Sequence, residues 1–155
     1  MADETPKRID EDAARARFET ALEGHGQAFE TFFFARFLGL EFDYLPHEAP
    51  DADKETCRLT FRVTDTLKNP QGSLHGGVMA SAMDISMGHL VNKVAGPGAT
   101  IEMKIQFMRP VTEGAVTCEG RFVKRGRSLS FMESRLTGAD GKLAALATAT
   151  WKMPS

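Results

Sequence analysis

Residues 69–96 read NPQGSLHGGVMASAMDISMGHLVNKVAG, and this stretch decides the fold predicted for the chain. From Gly76 to about Val94 it has helical spacing and is apolar on almost every side. The apolar positions are Val78, Met79, Ala80, Ala82, Met83, Ile85, Met87, Leu90 and Val91. A surface helix shows one apolar stripe, whereas a helix that is apolar all round is buried. The stretch therefore predicts one long buried helix.

Apolar and polar residues alternate on both sides of this helix and predict half-buried antiparallel strands. The first run holds Leu40, Phe42 and Tyr44 and ends near Pro46, and the second begins at Cys57. The predicted strands are residues 40–44, 57–63, 101–107, 115–124, 128–138 and 142–152, and the last four are expected to form a meander of hairpins. About six antiparallel strands with one long buried helix predict an α+β domain whose sheet wraps around the helix.

The first 37 residues predict a helical leader that belongs to the same domain as residues 38–155. Residues 1–9 look frayed, and a polar helix is predicted from Asp10 to about Gly24. In the next stretch, QAFETFFFARFLGLEF, phenylalanines recur at helical spacing from Phe29 to Phe37. This apolar stripe forms either a core or subunit interface, or a wall or lid for an apolar ligand.

Length and composition are those of an ordinary single globular domain. The chain has 155 residues, of which 42% are hydrophobic and 26% charged, and its formal net charge is −2. A nucleic-acid-binding module normally carries a clear basic excess, so no nucleic-acid partner is expected. The first 20 residues lack the apolar segment of a secretory signal, and no apolar run approaches the roughly 20 residues that span a bilayer. We expect a cytoplasmic protein that does not act in a membrane.

The distribution of charge and the cysteine count limit the partners further. Residues 1–55 carry 14 acidic and 6 basic side chains, a net −8, whereas residues 56–155 carry 7 acidic and 13 basic side chains, a net +6. The basic part can bind a small polyanion, or the two parts can be solvated faces of one domain. Two cysteines, Cys57 and Cys118, cannot build a disulfide scaffold or, by themselves, a four-ligand zinc site.

Asp84 is the first candidate for chemistry because it stands in the middle of the apolar helix. Burial without a partner is costly for a carboxylate, and apolar surroundings raise carboxyl pKa values. A base of raised pKa suits hydrolysis near neutral pH, which makes Asp84 a candidate functional group. The alternative is a structural aspartate that a buried hydroxyl or backbone group satisfies.

The start of the same helix is the second candidate. His75 is followed by Gly76 and Gly77, which are poor helix formers and allow a ligand to approach the main chain closely. The first helical N–H groups are unpaired and lie at the positive end of the helix dipole, which suits a developing oxyanion. Close packing of the helix start on the sheet explains the glycines equally well. His75 can cap the helix, pack, or contact substrate.

Three weaker candidates lie outside the helix. Asn69 precedes a turn sequence, and its amide can orient a water or a carbonyl, although Asn is common in turns for local reasons. Thr100 opens the third strand, and its hydroxyl can hold Asp84 or a water, or the residue can simply reflect β propensity. The basic turn Lys124-Arg125-Gly126-Arg127 is either a solvated hairpin end or a phosphate-binding site.

No competing catalytic or cofactor motif is present. The chain has neither a glycine-rich nucleotide-binding fingerprint nor the elbow of a serine hydrolase. His75, Asp84 and His89 are spaced nine and five residues apart, which does not place three ligands on one helical face. Neither a metal nor a cofactor is expected.

Taken together, these motifs resemble those of the phenylacetate-pathway (PaaI-like) branch of the hotdog-fold acyl-CoA thioesterases. The resemblance covers roughly residues 38–152 and rests on Asn69-Pro70, Leu74-His75-Gly76-Gly77, Asp84, Thr100 and residues 103–111. It implies a hotdog fold, an acyl-CoA substrate, no metal, and a homodimer or a homotetramer built as a dimer of dimers. The acyl preference stays open, because the family varies freely in the region of the Phe-rich leader.

The resemblance also implies roles for single residues. Asp84 is implied to be the general base or the nucleophile, and the Gly76 N–H to polarise the thioester carbonyl. Asn69 is implied to place substrate or water, and Thr100 to support the chemistry. The further residues expected to bind substrate are His75, Gly77, Arg109, Lys124, Arg125 and Arg127.

The sequence thus predicts a thioesterase that hydrolyses an acyl-CoA to a carboxylic acid and coenzyme A. A hotdog-fold enoyl-CoA hydratase or dehydratase and a non-catalytic acyl-CoA-binding protein are the alternatives. Gly76 and Asp84 are eight residues apart, which is about 12 Å along one α-helix. A reacting carbonyl must lie roughly 3 Å from both its oxyanion donor and its attacking group. We therefore expect a dimer in which Gly76 and Asn69 of one subunit face Asp84 and Thr100 of the other.

Overall fold

A 20-residue helix lies against one face of a six-stranded antiparallel sheet in the computed structural model, which describes residues 7–45 and 54–155. The helices are α1 (Glu11–Leu22), α2 (Phe33–Leu38) and α3 (Gly76–Ala95). The strands are β1 (Glu41–Leu45), β2 (Thr56–Arg62), β3 (Ala99–Phe107), β4 (Ala115–Lys124), β5 (Leu129–Thr137) and β6 (Leu143–Lys152). This confirms the predicted hotdog arrangement of one long helix and six strands.

The strand order is β1-β2-β4-β5-β6-β3, so β3 lies at an edge of the sheet beside β6. The prediction that the last four strands form a meander is therefore wrong, because only β4, β5 and β6 do. Beyond β3, the N–H groups of Met108 and Arg109 both donate to the Ala144 carbonyl at the start of β6. These bonds hold the end of β3 next to β6 instead of turning the chain directly into a hairpin with β4.

Helix α3 buries one side against β2, β4 and β5. Met83, Met87 and Leu90 are completely buried there. The close approach of α3 to β4 depends on Gly120 of β4, because an added Cβ there would lie 2.7 Å from the carbonyl carbon of Ser86. The opposite side of α3, which includes Asp84, stays half-exposed in the single chain. The prediction of burial on every side is thus wrong for one chain, because the sheet covers only one face of the helix.

The leader contains less helix than predicted. Asp10 caps α1 by accepting a hydrogen bond from the Ala13 N–H at 3.0 Å, and α1 packs on α2 through Phe18 and Phe33, whose ring centroids are 5.3 Å apart. Only residues 33–38 of the Phe-rich stretch are helical, and Phe29 lies in the preceding turns. Residues 1–6 lie outside the described residues, so the predicted fraying of residues 1–9 is covered only in part. The predicted strand end near Pro46 lies entirely outside them.

Within residues 7–45 and 54–155, none of the helices has the combination of length and hydropathy that a bilayer span requires.

Candidate active site

Asp84 and Thr100 form a hydrogen-bonded pair on the half-exposed side of α3. The Thr100 hydroxyl, at the start of β3, donates to Asp84 Oδ1 at 2.7 Å. This confirms the expectation that Thr100 can hold Asp84. Among the described residues, Asp84 Oδ2 has no hydrogen-bond partner. The hydroxyl therefore fixes the carboxylate and leaves one oxygen open to a water or a substrate carbonyl.

The pair opens into a cavity of about 360 Å³ between α3, the sheet and the leader. Its walls include Phe29 and Phe32 from the leader, His89 from α3 and Trp151 from β6. Gly88 of α3 lets the Trp151 ring reach this cavity, because an added Cβ at Gly88 would lie 2.7 Å from the ring. The cavity, which we call the aromatic cavity, presents aromatic walls to anything that reaches Asp84.

Asn69 and Gly76 line a different cavity, also of about 360 Å³, near the beginning of α3. The Asn69 amide is held within its own turn: Oδ1 accepts from the Ser73 N–H at 3.2 Å, and Nδ2 donates to the Ser73 hydroxyl at 3.0 Å. An Asn side chain has two amide donors, so one N–H of Asn69 is left over in this geometry. The turn interpretation of Asn69 is correct, and the turn also orients its spare donor.

His75 caps α3, which was one of its three expected roles. Its Nδ1 accepts a hydrogen bond from the Gly77 N–H at 2.9 Å. In the described part of the chain, the Gly76 N–H makes no hydrogen bond. A Cβ added at Gly76 would lie 3.4 Å from the exposed ring of Phe107, at the edge of ordinary contact. Gly76 thus presents an open N–H at the positive end of the helix.

One chain therefore divides the four predicted catalytic residues into two pairs. Asp84 and Thr100 line the aromatic cavity, whereas Asn69 and Gly76 line the cavity at the start of α3. Because α3 is unbroken from Gly76 to Ala95, Gly76 and Asp84 are about 12 Å apart along its axis. A single thioester cannot contact both pairs of one chain.

Comparison with known proteins places this chain in a family. The profile of the Thioesterase superfamily matches residues 71–145, which include Gly76, Asp84 and Thr100. An esterase-named protein of Saccharolobus solfataricus is 33% identical over 117 residues, covering 74% of this chain and 73% of that protein. The chain belongs to the thioesterase superfamily.

Further similarities of this thioesterase-superfamily chain agree with that assignment. Human acyl-coenzyme A thioesterase 13 is 33% identical over 96 residues, which cover 59% of this chain and 67% of the human protein. The Escherichia coli PaaI protein from the phenylacetic acid degradation operon superimposes with a TM-score of 0.73 at 18% identity, covering 92% of this chain and 96% of that one. At that identity the likeness to PaaI shows the fold alone.

The basic residues predicted to bind substrate lie at two ends of α3 in this thioesterase-superfamily chain. Arg109 is exposed and lines the cavity of Asn69 and Gly76. Lys124 ends β4, and Arg125 and Arg127 lie in the turn that follows, where Arg125 Nη2 donates to the Val94 carbonyl near the end of α3 at 3.2 Å. The basic turn therefore lies about 15 Å from Asp84 along the helix, since ten residues separate Asp84 from Val94.

Sequence reasoning missed the part that His89 and Trp151 play in the site. His89 is 3% exposed, and its ring stacks on Phe42 with centroids 4.0 Å apart. Burial lowers the pKa of His89, while the negative charge of Glu30 and a hydrogen bond to the Phe29 backbone act in the opposite direction. The available signal is a histidine inside an apolar helix, five residues after Asp84.

Among the described residues, no three His, Cys, Asp or Glu side chains are grouped closely enough to hold a metal ion.

Proposed function

We propose that this chain hydrolyses acyl-CoA thioesters to a carboxylic acid and coenzyme A, at a site shared by two copies of the chain. The supporting observation is the separation of the two pairs. A carboxylate held by a hydroxyl opens into one aromatic-walled cavity, and an open helix N–H with an oriented amide lines another. Membership of the thioesterase superfamily supports thioester hydrolysis as the reaction class.

In the proposed reaction, Asp84 drives the attack on the thioester carbonyl. Its free oxygen either takes a proton from a water that attacks the carbonyl carbon, or attacks that carbon directly. Thr100 keeps the carboxylate in position throughout. The tetrahedral oxyanion then needs donors, and the Gly76 N–H at the positive helix end with the spare N–H of Asn69 supplies them. Collapse of the intermediate expels coenzyme A as the thiolate, which takes up a proton. Where water attacked, this step gives the carboxylic acid directly. Where Asp84 attacked, the acyl group stays on the carboxylate as a mixed anhydride, and a water then hydrolyses it to release the acid and restore Asp84.

The distance between Gly76 and Asp84 along one helix supports a homodimer. A two-fold axis that brings two antiparallel α3 helices together places the Gly76 of each copy beside the Asp84 of the other. Strand β3 supports this arrangement, because its outer edge has no strand beside it among the described residues. An unpaired edge strand is a surface on which a second copy can pair. Each dimer then contains two equivalent sites.

Two further parts of the proposal concern partners and location. The outward-facing side chains of Val123, Leu129 and Phe131 are 63%, 45% and 48% exposed, and they support association of two dimers through the outer sheet face. The positive charges of Arg109, Lys124, Arg125 and Arg127 are proposed to hold the phosphates of coenzyme A. Both cysteines are free and buried, which suits the reducing cytoplasm.

A coenzyme A release assay over straight-chain and aryl acyl-CoAs tests the proposal. The wild-type protein should release free thiol, and Asp84→Asn, which has the same shape without the charge, should release almost none while remaining folded. Tight acyl-CoA binding without thiol release would instead indicate a binding protein. Hydration of an enoyl-CoA without thiol release would indicate a hydratase.

A further inference from the structure

The outer edge of β3 carries two opposite charges and two exposed apolar side chains. Glu102 and Lys104 are both exposed, and in the described part of the chain neither makes an ion pair. Ile101 is 57% exposed and Phe107 is 54% exposed. Apolar side chains on an unpaired edge strand favour pairing with a strand of another chain. This surface, which we call the β3 edge, therefore has the character of a contact between chains.

The pairing of β3 with β6 fixes the direction of each side chain on the β3 edge. Ile105 lies opposite Ala147, which is buried, so Ile105 points to the side of the sheet that holds α3. Met103 shares that direction because strand residues alternate, whereas Glu102 and Lys104 point to the outer face. A two-fold axis perpendicular to the sheet keeps both α3 helices on one side. Only residues of the same direction can then lie opposite each other, so the axis passes beside one residue that lies opposite its own copy.

The shared site limits where this axis can lie. In one chain Thr100 is hydrogen-bonded to Asp84, and the Phe107 ring lies against Gly76. The proposed reaction needs Gly76 of one copy beside Asp84 of the other. Phe107 of one copy must therefore come close to Thr100 of the other. The midpoint of residues 100 and 107 lies between positions 103 and 104, so the axis passes beside one of these two.

Charge selects between the two positions. With the axis beside Lys104, the two Lys104 ammonium groups lie opposite each other, and Glu102 lies opposite Gln106. With the axis beside Met103, Glu102 of each copy lies opposite Lys104 of the other, which gives two equivalent ion pairs on the outer face. Opposite charges directly across a strand pair stabilise it, and like charges destabilise it. The charges therefore favour the axis beside Met103.

We propose that two copies pair through the β3 edge with Met103 on the two-fold axis, and that reciprocal ion pairs between Glu102 and Lys104 specify this register. This rests on the proposed function, because the shared site limits the position of the axis. The two charged residues are positioning residues, since they bring Gly76 of one copy to Asp84 of the other without touching substrate. The exposed apolar side chains of the β3 edge are covered in the same contact.

Charge-swap variants test the ion pairs. Glu102→Lys places lysine opposite lysine in both pairs, and Lys104→Glu places acid opposite acid, so the Kd of each homodimer should rise about tenfold or more on analytical ultracentrifugation. The double variant Glu102→Lys/Lys104→Glu restores both pairs within one chain and should dimerise like the wild type. Glu41→Lys is the matched control, because Glu41 is exposed on β1 at the opposite edge of the sheet.

Mixing the two single variants gives the sharpest form of this test. A heterodimer of Glu102→Lys with Lys104→Glu has opposite charges in both pairs. After exchange of differently tagged chains, heterodimers should far exceed the roughly one half that random assembly gives. Thiol release, which dilution should reduce in each single variant, should return in the mixture. A random proportion of heterodimers would overturn the proposal.

Cysteine cross-linking measures the register itself. Directly opposite residues have Cβ atoms about 5 Å apart, and diagonal neighbours are about 7–8 Å apart. On mild oxidation Met103→Cys should therefore form a covalent dimer, whereas Lys104→Cys should form much less. Cys57 and Cys118 are buried and do not compete. Preferential linkage through Lys104→Cys would overturn the proposed register, and if neither variant links, the proportion of heterodimers decides.

The register and the proposed function fail in different ways. A wild-type dimer that releases thiol, but whose charge-swap variants assemble at random, contradicts the register alone. Preferred heterodimers without thiol release from any acyl-CoA contradict the thioesterase proposal and support the register. A wild-type protein that stays monomeric contradicts both the register and the shared site. Thermal denaturation followed by circular dichroism checks that each variant is folded.

Discussion

Thr100→Val removes one hydroxyl and nothing else of the candidate active site. The valine has nearly the shape of threonine, and the Thr100 side chain is exposed in the single chain, so no cavity is created. What disappears is the 2.7 Å hydrogen bond to Asp84 Oδ1. Without it the carboxylate can rotate away from the direction in which it must attack or take a proton.

The size of the effect follows from the kind of hydrogen bond that is lost. A hydrogen bond to a charged group contributes about 1.5–3 kcal/mol. If all of it acts in the transition state, kcat falls between about tenfold and about 150-fold. Because Thr100 acts through Asp84 and is not assigned a substrate contact, KM should stay nearly constant. Because the bond is exposed to water in the single chain, its loss should lower the free energy of unfolding by about 0.5–1.5 kcal/mol, as for an ordinary hydrogen bond.

Steady-state thiol release and urea denaturation measure both quantities on the same preparations. Thr100→Ser keeps a hydroxyl and should retain most of the wild-type kcat. Thr148→Val, an exposed threonine on the outer face of β6, is the matched control and should leave kcat unchanged. Wild-type kcat in Thr100→Val, or an equal loss in Thr100→Ser, would refute the positioning role.

The remaining predictions concern the buried groups. Burial raises the pKa of Cys57 to about 12 and of Cys118 to about 11, so a thiol reagent at pH 8 should label neither in the native protein and both in denaturant. Because burial lowers the pKa of His89 in the folded state, the unfolded state binds more protons below about pH 6.5. Urea denaturation should therefore show stability falling as pH drops from 7 to 5.5, and less so in His89→Leu. Gly120→Ala should lower the free energy of unfolding by about 1–3 kcal/mol, because its Cβ would meet the Ser86 backbone; an unchanged melting temperature would contradict this close approach.

The elements of the fold were predictable because each carries its own local pattern. Alternation marks β2 and β4–β6, and the apolar run from Gly76 marks α3, whose two ends were placed within a residue or so. The position of β3 was not predictable in this way, since alternation shows which side chains face the core but not which strand is the neighbour. That choice depends on contacts such as the bonds from Met108 and Arg109 to Ala144.

In the candidate site, too, local sequence patterns identified some residues and not the features that depend on packing between distant elements. Asp84 was found because a carboxylate inside an apolar helix is conspicuous, and its partner Thr100 because it begins the strand after that helix. The aromatic cavity was not predicted as a whole, because its walls come from the leader, α3 and β6, and no local motif links Phe29, His89 and Trp151. The helical interpretation of the Phe-rich stretch is correct for residues 33–38 but wrong before them, because Phe29 and Phe32 are held by contacts to His89 and not by helical hydrogen bonds.

The shared site is the central claim, and subunit complementation tests it most directly. Asp84→Ala and Asn69→Ala chains, each inactive alone, are mixed in equal amounts and allowed to exchange, and heterodimers are verified by two different affinity tags. Each heterodimer should contain one intact site and one doubly damaged site. With random exchange, about a quarter of the wild-type activity should therefore return. Verified heterodimers that stay inactive would contradict the shared site.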